Sequence, residues 1–106
     1  MRIATLLACL VPLLAAGPAG AEEFVVAQKN KKFSASELKA KVGDVITFKN
    51  DDPFFHNIFS LSEAQSFDLG THAQGQSRKV TLNNPGKVEI ECAIHPEMKL
   101  TVDVAK

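Results

Sequence analysis

Residues 88–104 read VEIECAIHPEMKLTVDV, and their pattern decides the fold class. Apolar and polar residues alternate from Val88 to Cys92 and again from Leu100 to Val104, which predicts two half-buried β-strands joined by a short loop. Because successive side chains of a strand point to opposite faces, Cys92 shares the inward face with Val88. The first strand therefore ends in a cysteine that points into the protein.

The same pattern of short apolar runs separated by turn signals extends over most of the chain. Turns are predicted at Gly43-Asp44, at Asn50–Pro53 and at Asn83–Gly86. Further strands are predicted at Phe24–Ala27, Phe33–Ser36, Leu38–Val42, Val45–Lys49, His56–Ser60 and Arg78–Leu82.

Residues 61–76 form the least regular part, where a single helical turn is predicted at Ser62–Gln65. No stretch shows the 3.6-residue period of an amphipathic helix. The fold class expected is all-β: a two-sheet Greek-key β-sandwich with seven to eight strands, formed by two packed antiparallel sheets.

The N-terminus has the pattern of a removed signal peptide. Arg2 precedes an apolar run at Ile3–Ala16, and Ala19-Gly20-Ala21 fits a small-residue cleavage site, which predicts cleavage after Ala21. Residues 1–21 are then a signal peptide, residues 22–106 form one domain, and the protein is expected in the periplasm. An uncleaved membrane anchor is the alternative, but the run is shorter than the roughly 18–20 residues that span a bilayer. A lipobox at Leu6–Cys9 is a third interpretation.

Composition excludes several classes of function. The chain has 12 basic and 12 acidic residues, and cleavage would remove only Arg2, which leaves a formal charge of −1. Without a strongly basic face, no nucleic-acid partner is expected. After cleavage no stable membrane insertion is expected either, and a monomer is the default for a domain of this size and charge.

Sulfur-bearing residues are few in the predicted domain. Cleavage would remove Met1 and Cys9, leaving only Cys92 and Met98, with His95 midway between them. A lone cysteine in an oxidising compartment cannot form an internal disulfide. Taken alone, Cys92 is an intermolecular link, a buried inert thiol, a reactive thiol or a metal ligand.

The conjunction with histidine favours a metal site. Cys92, His95 and Met98 follow one another at intervals of three, and His56 comes after a separate turn. If the two loops lie at the same end of the sandwich, they supply two imidazoles, one thiolate and one thioether, the set that suits one copper ion cycling between Cu(I) and Cu(II). Zinc would prefer a stronger fourth ligand, and iron–sulfur clusters would usually need four cysteines.

Three other groups of residues near this set carry expectations. His72 lies in a glycine-containing loop without other donors and is predicted to be a surface residue. Asn57 either bridges the two ligand loops, with its N–H donating to the cysteine sulfur, or is an ordinary loop residue. An apolar collar around His95, which would mark a docking surface, is predicted from the flanking residues Phe54, Phe55, Ile94 and Pro96.

These residues resemble a known family. Lys32-Phe33-Ser34, Leu38–Asn50, His56-Asn57 and Cys92-x-x-His95-x-x-Met98 are similar to the plastocyanin/amicyanin branch of the cupredoxins, over nearly the whole predicted domain. The resemblance implies a type 1 copper site at which His56 and Cys92 are buried, His95 is the electron port at the surface, and Met98 is a weak axial ligand. The two-residue gap between His95 and Met98 is similar to amicyanin. The chain has no Tyr or Trp, so it lacks the acidic tyrosine-centred patch of plant plastocyanins.

The function expected is therefore that of a soluble one-electron carrier, not an enzyme, whose redox partners dock near His95. A copper-binding or tolerance protein of the same fold is the alternative, although no Met-rich or His-rich segment accompanies the site. Multicopper oxidation needs more histidines than three. A carboxylate-ligated open site that uses Glu97 remains a minor enzymatic alternative.

Overall fold

The computed structural model describes residues 21–106, which fold as a two-layered β-sandwich. Its nine strands are β1 Glu23–Lys29, β2 Lys32–Phe33, β3 Glu37–Lys41, β4 Val45–Asn50, β5 His56–Leu61, β6 Ser66–His72, β7 Ser77–Thr81, β8 Gly86–Glu91 and β9 Lys99–Ala105. The predicted signal peptide lies outside the described residues except for Ala21. No helix occurs among residues 21–106, so this part of the chain has none that could cross a membrane.

The two sheets have strand orders β2-β1-β4-β7 and β3-β9-β8-β5-β6. The two-sheet sandwich is confirmed, but the expectation of purely antiparallel sheets is wrong. β1 runs parallel to β4, and β3 runs parallel to β9. The physical reason is the path of the chain: after β1 and β2 it crosses to the other sheet, forms β3 there, and returns to the first sheet as β4. This gives the long connection that a parallel pair requires.

Apolar side chains from both sheets meet between the layers and form the core. Phe48, Ile58 and Leu100 have no exposed surface, and the Phe33 ring packs edge-on against Phe48 at 5.8 Å. In β8 the predicted alternation is confirmed, because Val88 and Ile90 are buried, and so is Cys92, which directly follows the strand. The core therefore extends along β8 to the cysteine at its end.

Residues 21–106 form nine strands, one more than the upper number predicted, and the additional strand is β6. The helical turn predicted at Ser62–Gln65 is absent. A β-bulge makes the side-chain pattern of β6 irregular, which is why the sequence did not predict this strand. Asn57 pairs with Thr71 but Phe59 pairs with Asp68, so two residues of β6 oppose one of β5. Gly70 sits in this bulge with a φ of 79°, a left-handed conformation that glycine adopts at little cost.

The bulge also overturns the prediction that His72 is a surface residue. Phe67 and Leu69 lean toward the core, so an unbroken alternation would turn Thr71 inward. The extra residue reverses the phase: Thr71 is exposed, whereas His72 is only 1% exposed and pairs with His56 on β5.

Candidate metal centre

The predicted ligands lie together at one end of the sandwich because the two strand connections that carry them are both at that end. β4 leads through residues 51–55 to His56, the first residue of β5. β8 ends at Glu91, and the loop of residues 92–98 that follows carries the other three predicted ligands. Since β5 and β8 are antiparallel neighbours, the start of one lies beside the end of the other. The pairing of the two strands thus brings residues far apart in sequence together.

Three donor atoms face one another. Nδ1 of His56 lies 3.7 Å from Sγ of Cys92, Nδ1 of His95 lies 3.9 Å from the same sulfur, and the two nitrogens are 3.2 Å apart. Metal–ligand bonds of about 2.0–2.1 Å to nitrogen and about 2.3 Å to sulfur, at trigonal angles, would give separations of this size. The triangle therefore has the dimensions that a single ion requires.

Asp52 fixes the orientation and tautomer of His56. Its Oδ2 lies 2.8 Å from Nε2 of His56, and both residues are buried. Because an ionised carboxylate only accepts hydrogen bonds, Nε2 must carry a ring proton and donate a hydrogen bond to Asp52. In this tautomer the lone pair lies on Nδ1, which faces Cys92 and His95. This arrangement fits a metal ligand better than an incidental histidine.

The carboxylate of Asp52 has two more donors. The N–H of Asn30 donates to Oδ1 at 2.7 Å, and the N–H of Lys31 donates to Oδ2 at 3.0 Å. Burial acts to raise the pKa of Asp52, but the N–H of Lys31, the ring of His56 and the N–H of Asn30 together lower it below its usual value. Asp52 therefore keeps its negative charge beside the metal centre.

Asn57 bridges the two ligand loops, as one of the two interpretations of the sequence expected. Its backbone N–H points at Sγ of Cys92, 3.5 Å away, and its Oδ1 accepts a hydrogen bond from the N–H of Ala93 at 2.7 Å. The first contact places a donor against the sulfur, and the second holds the residue after Cys92 in place. Contacts of this kind orient ligands and tune the metal.

Met98 closes the ligand loop. Its side chain is 1% exposed, and its N–H donates to the carbonyl of His95 at 2.9 Å, which makes the loop compact. The structure thus places Met98 inside the protein near the other predicted ligands. Its role as an axial ligand stays a prediction.

A buried polar pair that the sequence did not reveal lies behind His56. Nε2 of His72 is 2.7 Å from Oε1 of Gln28, and Gln28 has no exposed surface. The amide of Gln28 in turn donates to the carbonyl of Asn57 at 3.4 Å. His72 therefore reaches the metal centre only indirectly, and the one group of three potential ligands found in residues 21–106 does not include it.

Aromatic and apolar residues surround the exposed side of the centre. The Phe54 ring lies 5.3 Å from the ring of His95 and 5.4 Å from that of His56. Phe55 is 58% exposed and Ile94 is 48% exposed, and Pro96 is also exposed. His95 is half-buried, so part of its ring reaches the surface within this collar. Phe55, Ile94 and Pro96 thus supply the exposed part of the predicted apolar collar, whereas Phe54 is half-buried.

Sequence reasoning found the donors but missed the residues that hold them. Asp52 was identified only as part of a turn, although an acidic residue four positions before a candidate ligand is a signal that could have been used. Asn50 was also missed: its buried amide donates to the carbonyls of Phe54 and His72, and its Oδ1 accepts from the N–H of Asp52. Only the folded structure shows that these groups meet.

The comparisons with known proteins agree with this chemistry. Residues 21–105 match the copper-binding proteins of the plastocyanin/azurin family. The chain is 35% identical over 89 residues to the methylamine utilization protein MauL of Methylorubrum extorquens, an alignment that covers 83% of this chain and 78% of MauL.

Solved structures show the same fold. A reduced amicyanin variant superposes with a TM-score of 0.70 at 27% identity, covering 85% of this chain and 87% of amicyanin. The Cu(I) form of another amicyanin variant gives a TM-score of 0.71 at 29% identity, with 85% and 88% covered. A copper nitrite reductase of Thermus scotoductus has a TM-score of 0.73 at 23% identity over 79% of this chain, which spans 22% of that enzyme and shows the fold alone.

The family match covers nearly all of the described residues, and the triangle formed by His56, Cys92 and His95 supplies the donors that a copper ion needs. The chain belongs to the plastocyanin/azurin family of copper-binding proteins.

Proposed function

We propose that the protein is a periplasmic type 1 copper protein that carries single electrons between redox partners. In this proposal the copper ion is held by His56, Cys92, His95 and Met98. The observation that carries it is the combination of a buried cysteine sulfur, 1% exposed, with a half-exposed imidazole 3.9 Å away. A bound copper ion would supply reversible one-electron exchange at these donors.

The protein's own groups support this use. Asp52 and Asn57 hold the donors in place through hydrogen bonds within the protein. A site held in this way changes little between oxidation states, which is what rapid electron transfer needs. Burial of His56 and Cys92 leaves the edge of His95 as the path to the surface.

We place the docking of redox partners at the collar around His95. Phe55 and Ile94 are exposed large apolar side chains on two different loops. Phe55 directly precedes His56 in the sequence, and Ile94 directly precedes His95. Apolar surface of this kind marks sites of protein association. A partner that covers the collar would bring its own redox centre close to the imidazole of His95.

Export is part of the same proposal. The N-terminal pattern that ends at Ala21 and the thiolate-containing site are both expected of a protein that acquires copper outside the cytoplasm. We infer cleavage after Ala21, which an N-terminal sequence of the protein recovered from a periplasmic fraction tests directly. A protein that starts at Met1 would contradict cleavage.

The central experiment is optical. Cu(II) is added to the purified protein, and the visible spectrum is recorded before and after ascorbate and after reoxidation. An intense thiolate-to-copper band that bleaches and returns is expected, and Cys92→Ser should abolish it. Copper binding without a reversible band would favour the copper-binding or tolerance function instead.

Met98 needs its own variant. Met98→Leu should keep the intense band, because the thiolate and both imidazoles remain, but its reduction potential should differ from that of the wild type. A spectrum and a potential that both stay unchanged would remove Met98 from the ligand set and leave the other three donors in place.

A further inference from the structure

The hairpin between β1 and β2 concentrates positive charge. Lys29, Lys31 and Lys32 occupy three of four consecutive positions, and all three side chains are exposed. None of them forms an ion pair with another residue of the described range 21–106. The charges are therefore directed to solvent and are not used within the fold.

The hairpin is fixed to the metal centre by its backbone. Asn30 and Lys31 adopt left-handed conformations with φ of 56° and 60°, as a tight two-residue turn between strands requires. Their N–H groups bond to the same Asp52 carboxylate that holds His56. The lysines thus have a defined position relative to the ligands.

That position is beside the electron port. Nζ of Lys31 lies 5.8 Å from the centre of the Phe54 ring, and this ring lies 5.3 Å from the ring of His95. One aromatic side chain therefore separates a solvent-exposed ammonium group from the half-buried imidazole of His95. Exposed charges act over a Debye length of about 8–10 Å, so the hairpin contributes to the potential that a partner meets at the port.

Acidic groups nearby do not cancel this charge, because the buried Asp52 beneath the turn supplies one negative charge against three positive ones. Asp51 lies 3.8 Å from Lys49 and is balanced by it. Glu97, which is exposed, is the acidic side chain of the ligand loop itself. The hairpin thus places three exposed lysines beside the collar, whereas the loop of residues 92–98 contributes one exposed carboxylate.

We propose that the Lys29–Lys32 hairpin is the electrostatic part of the docking surface, and that the redox protein it fits carries clustered Asp and Glu side chains beside its own redox centre. This inference rests on the proposed electron-carrier function. Complementary charges raise the rate of encounter and fix the orientation of docking. The apolar collar then makes the close contact, and the hairpin selects the acidic partner.

The test uses two redox probes of opposite charge. The copper-loaded, reduced protein is oxidised by hexacyanoferrate(III), an anion, or by tris(phenanthroline)cobalt(III), a cation, at low and high ionic strength. The variant combines Lys29→Gln, Lys31→Asn and Lys32→Gln, because Asn tolerates the left-handed backbone at position 31. Its visible spectrum should match that of the wild type.

At low ionic strength the variant should react about 5- to 20-fold more slowly with the anion and several-fold faster with the cation, within the range known for electrostatic steering. Both differences should shrink toward unity at high salt. The matched control removes the same charge from the opposite end of the sandwich through Lys41→Gln, Lys87→Asn and Lys106→Gln. It should stay within about twofold of the wild type with both probes.

Equal changes in the hairpin variant and the control would overturn the inference, because net charge alone would then explain the rates. A single Lys31→Asn variant covers the case in which the triple variant does not fold, and its anion rate should fall about two- to threefold. If the copper-loaded wild type exchanges electrons with neither probe, the proposed function itself fails and the inference falls with it.

Discussion

Oδ2 of Asp52 lies 2.8 Å from Nε2 of His56, and both side chains are buried. The carboxylate supplies the buried ring of His56 with a hydrogen-bond acceptor. It also places a negative charge on the side of this ring that faces away from the metal centre. One variant that removes the charge while keeping the shape of the side chain tests both effects, each with its own measurement.

Asp52→Asn should lower the free energy of unfolding of the copper-loaded protein by about 1–3 kcal/mol, because the amide cannot accept from all three donors with the strength of a carboxylate. The reduction potential should rise, since less negative charge near copper favours Cu(I). Urea unfolding and voltammetry measure the two effects. Asp51→Asn, which alters only a surface ion pair, should change stability by less than about 1 kcal/mol. Equal effects of the two variants would contradict this role of Asp52.

Burial of His72 predicts a pH dependence of stability. Burial lowers the pKa of His72 from its ordinary value of 6.5, and the positive charge of Arg78 adds to this effect. Between the lowered pKa and 6.5 the unfolded chain binds more protons than the folded one, so the free energy of unfolding rises with pH in this range. The copper-loaded protein should therefore lose stability as the pH falls from about 7 to 5.

His72→Gln removes this titrating group and should make that dependence shallower. The measurement is urea unfolding of copper-loaded wild type and variant at several pH values, and the difference between the two curves isolates His72 because every other titrating group is common to both proteins. Parallel curves for the two proteins would show that His72 does not contribute.

The contact between Gln28 and His72 predicts energetic coupling. Gln28→Leu and His72→Leu should each destabilise the protein by about 1–3 kcal/mol, because each leaves a buried polar partner unpaired. The double variant should cost less than the sum by about 0.5–3 kcal/mol. As a control, Gln28→Leu combined with Gln65→Leu, at the opposite end of the sandwich, should be additive. Additivity in the first pair would argue against the hydrogen bond.

Asn57 gives a spectroscopic prediction. Asn57→Ala removes the acceptor of the Ala93 N–H and should destabilise the protein by about 0.5–1.5 kcal/mol. The thiolate-to-copper band should shift, because the residue that positions a donor at Sγ of Cys92 has lost its anchor. Asn57→Asp retains an acceptor oxygen and should restore most of the stability. A band that is identical in Asn57→Ala and the wild type would show that this bridge does not tune the site.

The sequence was most informative where chemistry is local. Cys92, His95 and Met98 lie on one loop, so their spacing alone predicts that they are close. The strand pattern also predicts the sandwich, because alternation reports which face of a strand is buried. Alternation carries no information on strand direction, which is why the parallel pairing of β1 with β4 was missed.

The supporting residues depend on relationships that no local pattern contains. Gln28 reaches His72 and the carbonyl of Asn57 only because β1 pairs with β4 in a register that places it opposite Asn50. His72 turns inward only because a bulge at Gly70 reverses the phase of β6. Asp52 gains its importance from the N–H groups of a hairpin more than twenty positions earlier. Each contact is a product of tertiary structure.

The hydrogen bonds from the β1–β2 hairpin to Asp52 come from the backbone N–H groups of Asn30 and Lys31. Backbone donors persist when side chains are exchanged, provided that the turn keeps its left-handed conformation. The hairpin can therefore present different surface chemistry while the carboxylate beneath it stays equally well satisfied. In evolutionary terms, the surface charge of the hairpin and the integrity of the metal centre are separable traits in this molecule, although a single carboxylate connects the two regions.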